Sequence, residues 1–173
     1  MLTAKEHRQA TLIAAGVNGD FLEALKDDSK LGKLQYFVQP PVGGYNYLPS
    51  IMDDYDILKG STITPICDGG ADDEFFVMLT AGSQHRFVRI ELEADKIYND
   101  FADSFELMLA YILLDFYGFD ENMTLDDHIH FATTMGLKNA DVIFKRFATI
   151  YPDADLKQIE QWQKQQLPAL LGQ

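Results

Sequence analysis

Cys67 is the only cysteine, so no disulfide can close within the chain. A lone thiol on an apolar stretch is expected to be a small buried hydrophobe in a reducing compartment. Basic residues are scarce as well: 14 Lys and Arg stand against 27 Asp and Glu. No basic patch with interleaved aromatics occurs, which argues against nucleic acid and anionic lipid as partners. Long hydrophobic runs are missing. No uncharged apolar stretch approaches the ~20 residues that cross a bilayer. Residues 1–15 carry Lys5, Glu6, His7 and Arg8 and so lack the apolar core of a signal peptide. The expected location is the cytoplasm, with no membrane contact. Catalytic fingerprints are missing too. There is no G-x-S-x-G, no P-loop and no G-x-G-x-x-G, and Gly43-Gly44 and Gly69-Gly70 are bare pairs. No catalytic residue, no cofactor and no metal site is predicted.

What is present is a large apolar fraction, 47% of 173 residues including 12 Phe and 8 Tyr. That is enough for one domain with its own core. Thr3 and Glu6 have capping-box spacing ahead of a first helix in which Ala10, Leu12, Ile13 and Ala14 share a face. After Asn18-Gly19, a second helix is predicted over Asp20–Asp28, closed by Gly32. Leu34–Val38 reads as a strand, and Pro40-Pro41 with Gly43-Gly44 as a loop. Ser61–Cys67 is a further strand, in which Pro65 implies an edge or a bulge. Glu74–Thr80 and Arg86–Leu92 form a hairpin across Ala81-Gly82-Ser83. Phe75-Phe76-Val77-Met78-Leu79 is apolar on both alternating faces, as befits a central strand covered on both sides. From Phe101 onward the pattern is helical: about Ser104 to Tyr117, Thr124–Met135, Ala140–Ile150 and Asp153 to about Leu171. Helices, then a meander of strands, then helices make an α+β fold: a central, mainly antiparallel sheet flanked by N-terminal and C-terminal helices.

The charge is uneven. Residues 34–137 hold four bases and eighteen acids, whereas residues 1–33 are neutral and residues 138–173 nearly so. A field of this sign speeds encounter with a basic protein. Two clusters stand out within it, Asp53, Asp54 and Asp56, then Asp68, Asp72, Asp73 and Glu74. The second sits in a glycine-rich connection between strands, open to three readings: a plain turn, a binding edge or a calcium loop. Its spacing does not match an EF-hand. Asp126-Asp127-His128-Ile129-His130 superficially resembles a metal site, but two residues on a helix place the histidines about 200° apart. Thr124 to Asp127 instead has the form of a helix N-cap. Trp162 is read as packing against the domain, with a partner anchor as the sharper alternative.

Residues 63–79, from Ile63-Thr64-Pro65-Ile66-Cys67 through Asp68-Gly69-Gly70-Ala71-Asp72-Asp73-Glu74 to Phe75-Phe76-Val77-Met78-Leu79, resemble the central motif of the SUKH superfamily (Smi/Knr-type immunity and regulatory domains). In that motif an apolar-Pro-apolar strand leads into an acidic, glycine-rich turn and then a very apolar strand. Asp103-Ser104-Phe105-Glu106-Leu107-Met108-Leu109 resembles the opening of the family's closing helix. The resemblance covers about half the chain and implies a SUKH-like sheet and helix over 34–122, preceded by a helical segment, 1–33, and followed by a helical extension, 123–173, in one compact domain. It also implies a non-enzymatic protein-binding role, often as a bacterial immunity protein that neutralises a toxin such as a basic nuclease. The partner-binding residues expected are therefore Asp53, Asp54, Asp56, Asp68, Asp72, Asp73 and Glu74. Two other classes compete: a small metal-dependent hydrolase using Asp72, Asp73 or His85, and an assembly module using Trp162 and the C-terminal helix.

Overall fold

Gly82 and Ser83 turn the chain between two apolar strands, and the sheet grows outward from that hairpin. A computed structural model describes residues 1–71 and 73–172. β3 (Glu74–Ala81) and β4 (Gln84–Glu91) run in antiparallel register from Glu74 opposite Glu91 to Ala81 opposite Gln84. Gly82 has a φ of +61°, which glycine adopts without strain. β2 (Thr62–Gly69) lies on the far side of β3, with the two-residue β1 (Val38–Gln39) beyond it. β5 (Ile97–Asp100) flanks β4, so the order is β1-β2-β3-β4-β5 with every pairing antiparallel. With helices before and after one antiparallel sheet, the fold is α+β, as expected.

β3 is central, and Phe75 to Leu79 are all buried. One face carries Ile63, Phe75, Val77, Leu79, Val88 and Ile90, packed with Leu48 and Leu58. The opposite face carries Phe76, Met78 and Phe87. The Phe87 ring meets that of Phe105 at 6.0 Å, and Phe105 meets Phe21 at 5.5 Å. Pairing shifts register between Pro65 and Cys67, the bulge that a proline in a strand demands. Because β1 is so short, the rest of this edge is closed by other means. Arg8 donates from Nε to the Pro65 carbonyl at 2.7 Å and from Nη2 to that of Ile66, and Thr3 N–H donates to Ile63 O at 2.9 Å. A buried edge with its carbonyls satisfied offers no template for a stray strand.

Several expectations need correction. The Thr3–Glu6 capping box does not form: α1 (Lys5–Ala14) starts after Ala4 without a side-chain cap, and the Thr3 hydroxyl lies 2.7 Å from that of Thr64. Of the predicted apolar face of α1, Leu12 is buried and Ile13 is exposed. Residues 34–38 are not one strand, since Gly32–Tyr36 forms a 3₁₀ turn and only Val38 and Gln39 pair. The buried residues there are Leu31, Leu34 and Val38, a helical spacing rather than an alternating one. Finally, Val42–Ile51, predicted as loop where its prolines and glycines begin, is a helix, α4, and β5 has no counterpart among the predicted strands.

The single helix expected over Asp20–Asp28 is instead two: α2 (Gly19–Ala24), capped by Asn18, whose Oδ1 accepts Asp20 N–H at 2.6 Å, and a separate short α3 (Asp28–Leu31). The later helices fall close to their predicted ranges. α5 (Phe105–Asp115), α6 (Leu125–Thr134), α7 (Ala140–Ile150) and α8 (Leu156–Leu170) follow. Thr124 and Asp127 form the predicted capping box of α6. The chain divides into two compact units, Met1–Phe105 and Glu106–Gln173, whereas the sequence sets its boundaries after residues 33 and 122. Among the described residues no helix is long and apolar enough to cross a membrane.

Candidate partner-binding surface

The acidic connection between β2 and β3 is less open than its composition suggests. Asp68 points inward, to the start of α4. Gly43 N–H donates to its Oδ2 at 2.6 Å and Gly44 N–H to its Oδ1 at 2.8 Å. These are unpaired first-turn amides of a helix, and a carboxylate there is favoured by charge as well as by hydrogen bonding. The two glycines make the contact possible, since a Cβ on Gly43 would stand 3.0 Å from Asp68 Oδ2. Burial raises the Asp68 pKa, against the lowering effect of the backbone N–H groups. Glu74 is also engaged, 2.6 Å from Arg89 Nε, while Arg89 Nη2 reaches Glu91 at 3.2 Å. Asp73 is half-buried and remains at the turn. Asp72, also predicted as a contact, lies outside the described residues. The predicted four-acid ridge is therefore not a uniform surface, because Asp68 and Glu74 serve the fold of the first unit.

The other predicted cluster is exposed. Asp53, Asp54 and Asp56 follow α4 on a turn whose apolar members, Tyr55 and Ile57, pack against the core. That turn is tied to the β4–β5 connection. Asp95 accepts Asp56 N–H at 2.8 Å and Ile57 N–H at 3.0 Å, and the Tyr55 hydroxyl donates to Leu92 O. Asp53, Asp54 and Asp56 thus share an acidic knuckle with Glu93 and Asp95, both exposed. Asp56 pairs with Lys59 at 2.7 Å. Sequence reasoning missed Glu93 and Asp95, although three acids within Glu91-Leu92-Glu93-Ala94-Asp95 gave a signal of the same kind.

Compared with family models, curated proteins and solved structures, the chain matches none.

Among the described residues no three His, Cys, Asp or Glu side chains are grouped to hold a metal ion. Asp73 and His85, the described residues of the hydrolase alternative, sit at opposite ends of the hairpin. Asp73 precedes β3, whereas His85 pairs with Thr80. Six residue steps of strand separate Glu74 from Thr80, about 20 Å at ~3.3 Å per residue. They cannot share one substrate atom. Cys67 is buried, and burial raises its thiol pKa well above the ordinary value.

In the second unit His128 is buried, with its ring 4.8 Å from that of Tyr117 and 6.1 Å from Phe144, nearly parallel to the latter. Burial lowers its pKa. His130 is exposed, so the two histidines part as the helical geometry predicts. Trp162 is half-buried, 5.3 Å from Phe147, in agreement with a packing role.

Proposed function

We propose that this chain is a non-catalytic binding protein for a basic protein partner, and that it acts in the cytoplasm as an immunity protein neutralising a toxin domain. The observation that carries this reading is the acidic knuckle. Exposed carboxylates lie on two connections, Asp53 and Asp54 on one and Glu93 on the other, and Asp95 ties these connections together through hydrogen bonds to backbone. Preorganised charge of one sign lowers the ordering cost of an interface and steers a partner of opposite charge. The succession β2, acidic turn, β3, β4 and α5 supports the same reading, being the order that the SUKH resemblance implies. A basic nuclease is the class of toxin that fits. Charge-paired encounters reach about 10⁸ M⁻¹s⁻¹ at low salt, which suits a protector that must outrun its target.

The test begins with the neighbouring reading frame. Expressed alone, its product should arrest growth, and co-expression of this chain should restore it. The triple variant D53N/D54N/E93Q should associate with that product more slowly and with a flatter salt dependence. A harmless neighbour, or a toxic one against which this chain gives no protection, would sink the immunity reading. Association of the triple variant at the wild-type rate would remove the knuckle from the interface.

A further inference from the structure

At the hairpin end of the sheet the first unit has a cleft of about 630 Å³, lined in part by Ile57, Leu79, Ala81, Arg86, Asp100 and Asp103. Its floor continues the face that Leu48 and Leu58 cover further along. Leu79 pairs with Arg86, and the next residue on that face of β4, Val88, pairs with Asp100. Arg86 Nη2 and Asp100 Oδ2 are 2.7 Å apart, both about half exposed. Asp100 is fixed from its other side as well, its Oδ1 accepting Ala102 N–H at 3.0 Å. Ala102 has a φ of +51°, uncommon for a residue with a Cβ, and its carbonyl accepts Phe87 N–H at 2.7 Å. The strained residue is thus pinned at both its N–H and its carbonyl, and it orients Asp100 toward Arg86. Asp103 differs. It is exposed on the cleft wall, and among the described residues its carboxylate makes no hydrogen bond or ion pair.

We propose that this cleft receives an arginine side chain presented by the protein partner. This deepens the partner-binding reading and rests on it. The charges of Arg86 and Asp100 offset each other, so the uncompensated charge at the wall is that of Asp103, and the cleft favours a cation. The methylenes of an arginine lie along Ile57, Leu79 and Ala81, while its planar guanidinium presents a two-pronged donor to the Asp103 carboxylate. Asp100 retains acceptor capacity beyond its two present donors. Arg86, held back by Asp100, sets the side from which a second cation can approach. An aromatic or aliphatic anchor would cover the Asp103 carboxylate without giving it a partner, which is costly.

The experiment is an amide NMR titration of the full chain with N-acetyl-arginine amide, and in parallel with N-acetyl-glutamate amide. Saturable shifts with the arginine compound are expected at Ser61, Ser83, Ala102 and Asp103. D103N, checked for a wild-type melting temperature, should weaken binding about three- to tenfold. R86Q, which frees Asp100, should tighten it. Shifts confined to Asp53, Asp54 and Glu93 would overturn the cleft assignment while leaving the acidic-surface reading intact. Saturation by the glutamate compound, weakening on R86Q, or an unchanged affinity in D103N would each overturn it. No saturable shift anywhere would remove the arginine site but not the immunity reading, which falls only with a harmless neighbour or a failure of growth rescue.

Discussion

Asp68 shows how one carboxylate can carry structural work that its sequence context disguises. It sits in the most acidic stretch of the chain, yet it closes the first turn of α4 from 24 and 25 residues away. Replacing it with alanine leaves two helix-end amides unsatisfied, for an expected loss of about 1–2 kcal/mol in unfolding free energy. Urea unfolding measures this directly. The pH dependence has a definite sign. Burial raises the folded pKa of Asp68 above its unfolded value, so the folded state holds the proton more tightly. The stability linked to that proton is fully present below the unfolded pKa and is lost as pH rises through the folded one. The gap between wild type and Asp68→Ala is therefore widest in acid and narrows toward neutrality. A gap that widens with rising pH would mean that the N–H hydrogen bonds, not burial, dominate the site.

At the scale of elements, the turn between β2 and β3 is locked by backbone packing. Gly70 lies against the carbonyl oxygen of Tyr36, where a Cβ would collide with an atom that cannot swing away. Gly70→Ala should cost about 1–3 kcal/mol, since relief requires shifting the chain ahead of β1. An exposed glycine with open space around it, Gly60, is no comparison because its φ is +75°; Gly19, with ordinary φ and open space, is the proper control and should tolerate alanine. This turn also marks where sequence reasoning stopped. The β3–β4 hairpin and α5 to α8 were legible because alternation, helical periodicity and turn residues are local. α4 was not, because its glycines are there for Asp68 of a distant strand. Residues 34–38 misled because aromatic and β-branched composition marks a half-buried surface rather than a strand as such. The same limit applied to the site. Acid density located Asp53, Asp54 and Asp56, but composition cannot say that Asp68 and Glu74 face inward toward Gly43 and Arg89, respectively.

For the whole molecule the deciding quantity is the net charge of −13. Surface ion pairs oppose it only weakly. Lys26–Glu23, Lys59–Asp56 and Lys145–Asp141 are at least half exposed, and such pairs are worth about 0–1 kcal/mol each. Self-repulsion among 27 acids outweighs them in a chain with 14 bases. Raising ionic strength from ~0.01 M to ~0.15 M shortens the Debye length from about 30 Å to about 8 Å. That range damps repulsion between carboxylates on separate connections while leaving contacts under 3 Å, such as Glu74 with Arg89, largely intact. The melting temperature is therefore expected to rise with salt, in sodium chloride at fixed pH by calorimetry. Association with a basic partner should respond in the opposite sense, slowing over the same range because the attraction is screened. A chain stabilised by salt and slowed by it has charge arranged for encounter at the expense of its own cohesion. If salt lowered the melting temperature instead, attraction within the ion pairs would outweigh repulsion, and the acidic surface would be a structural network rather than a face kept open for a partner.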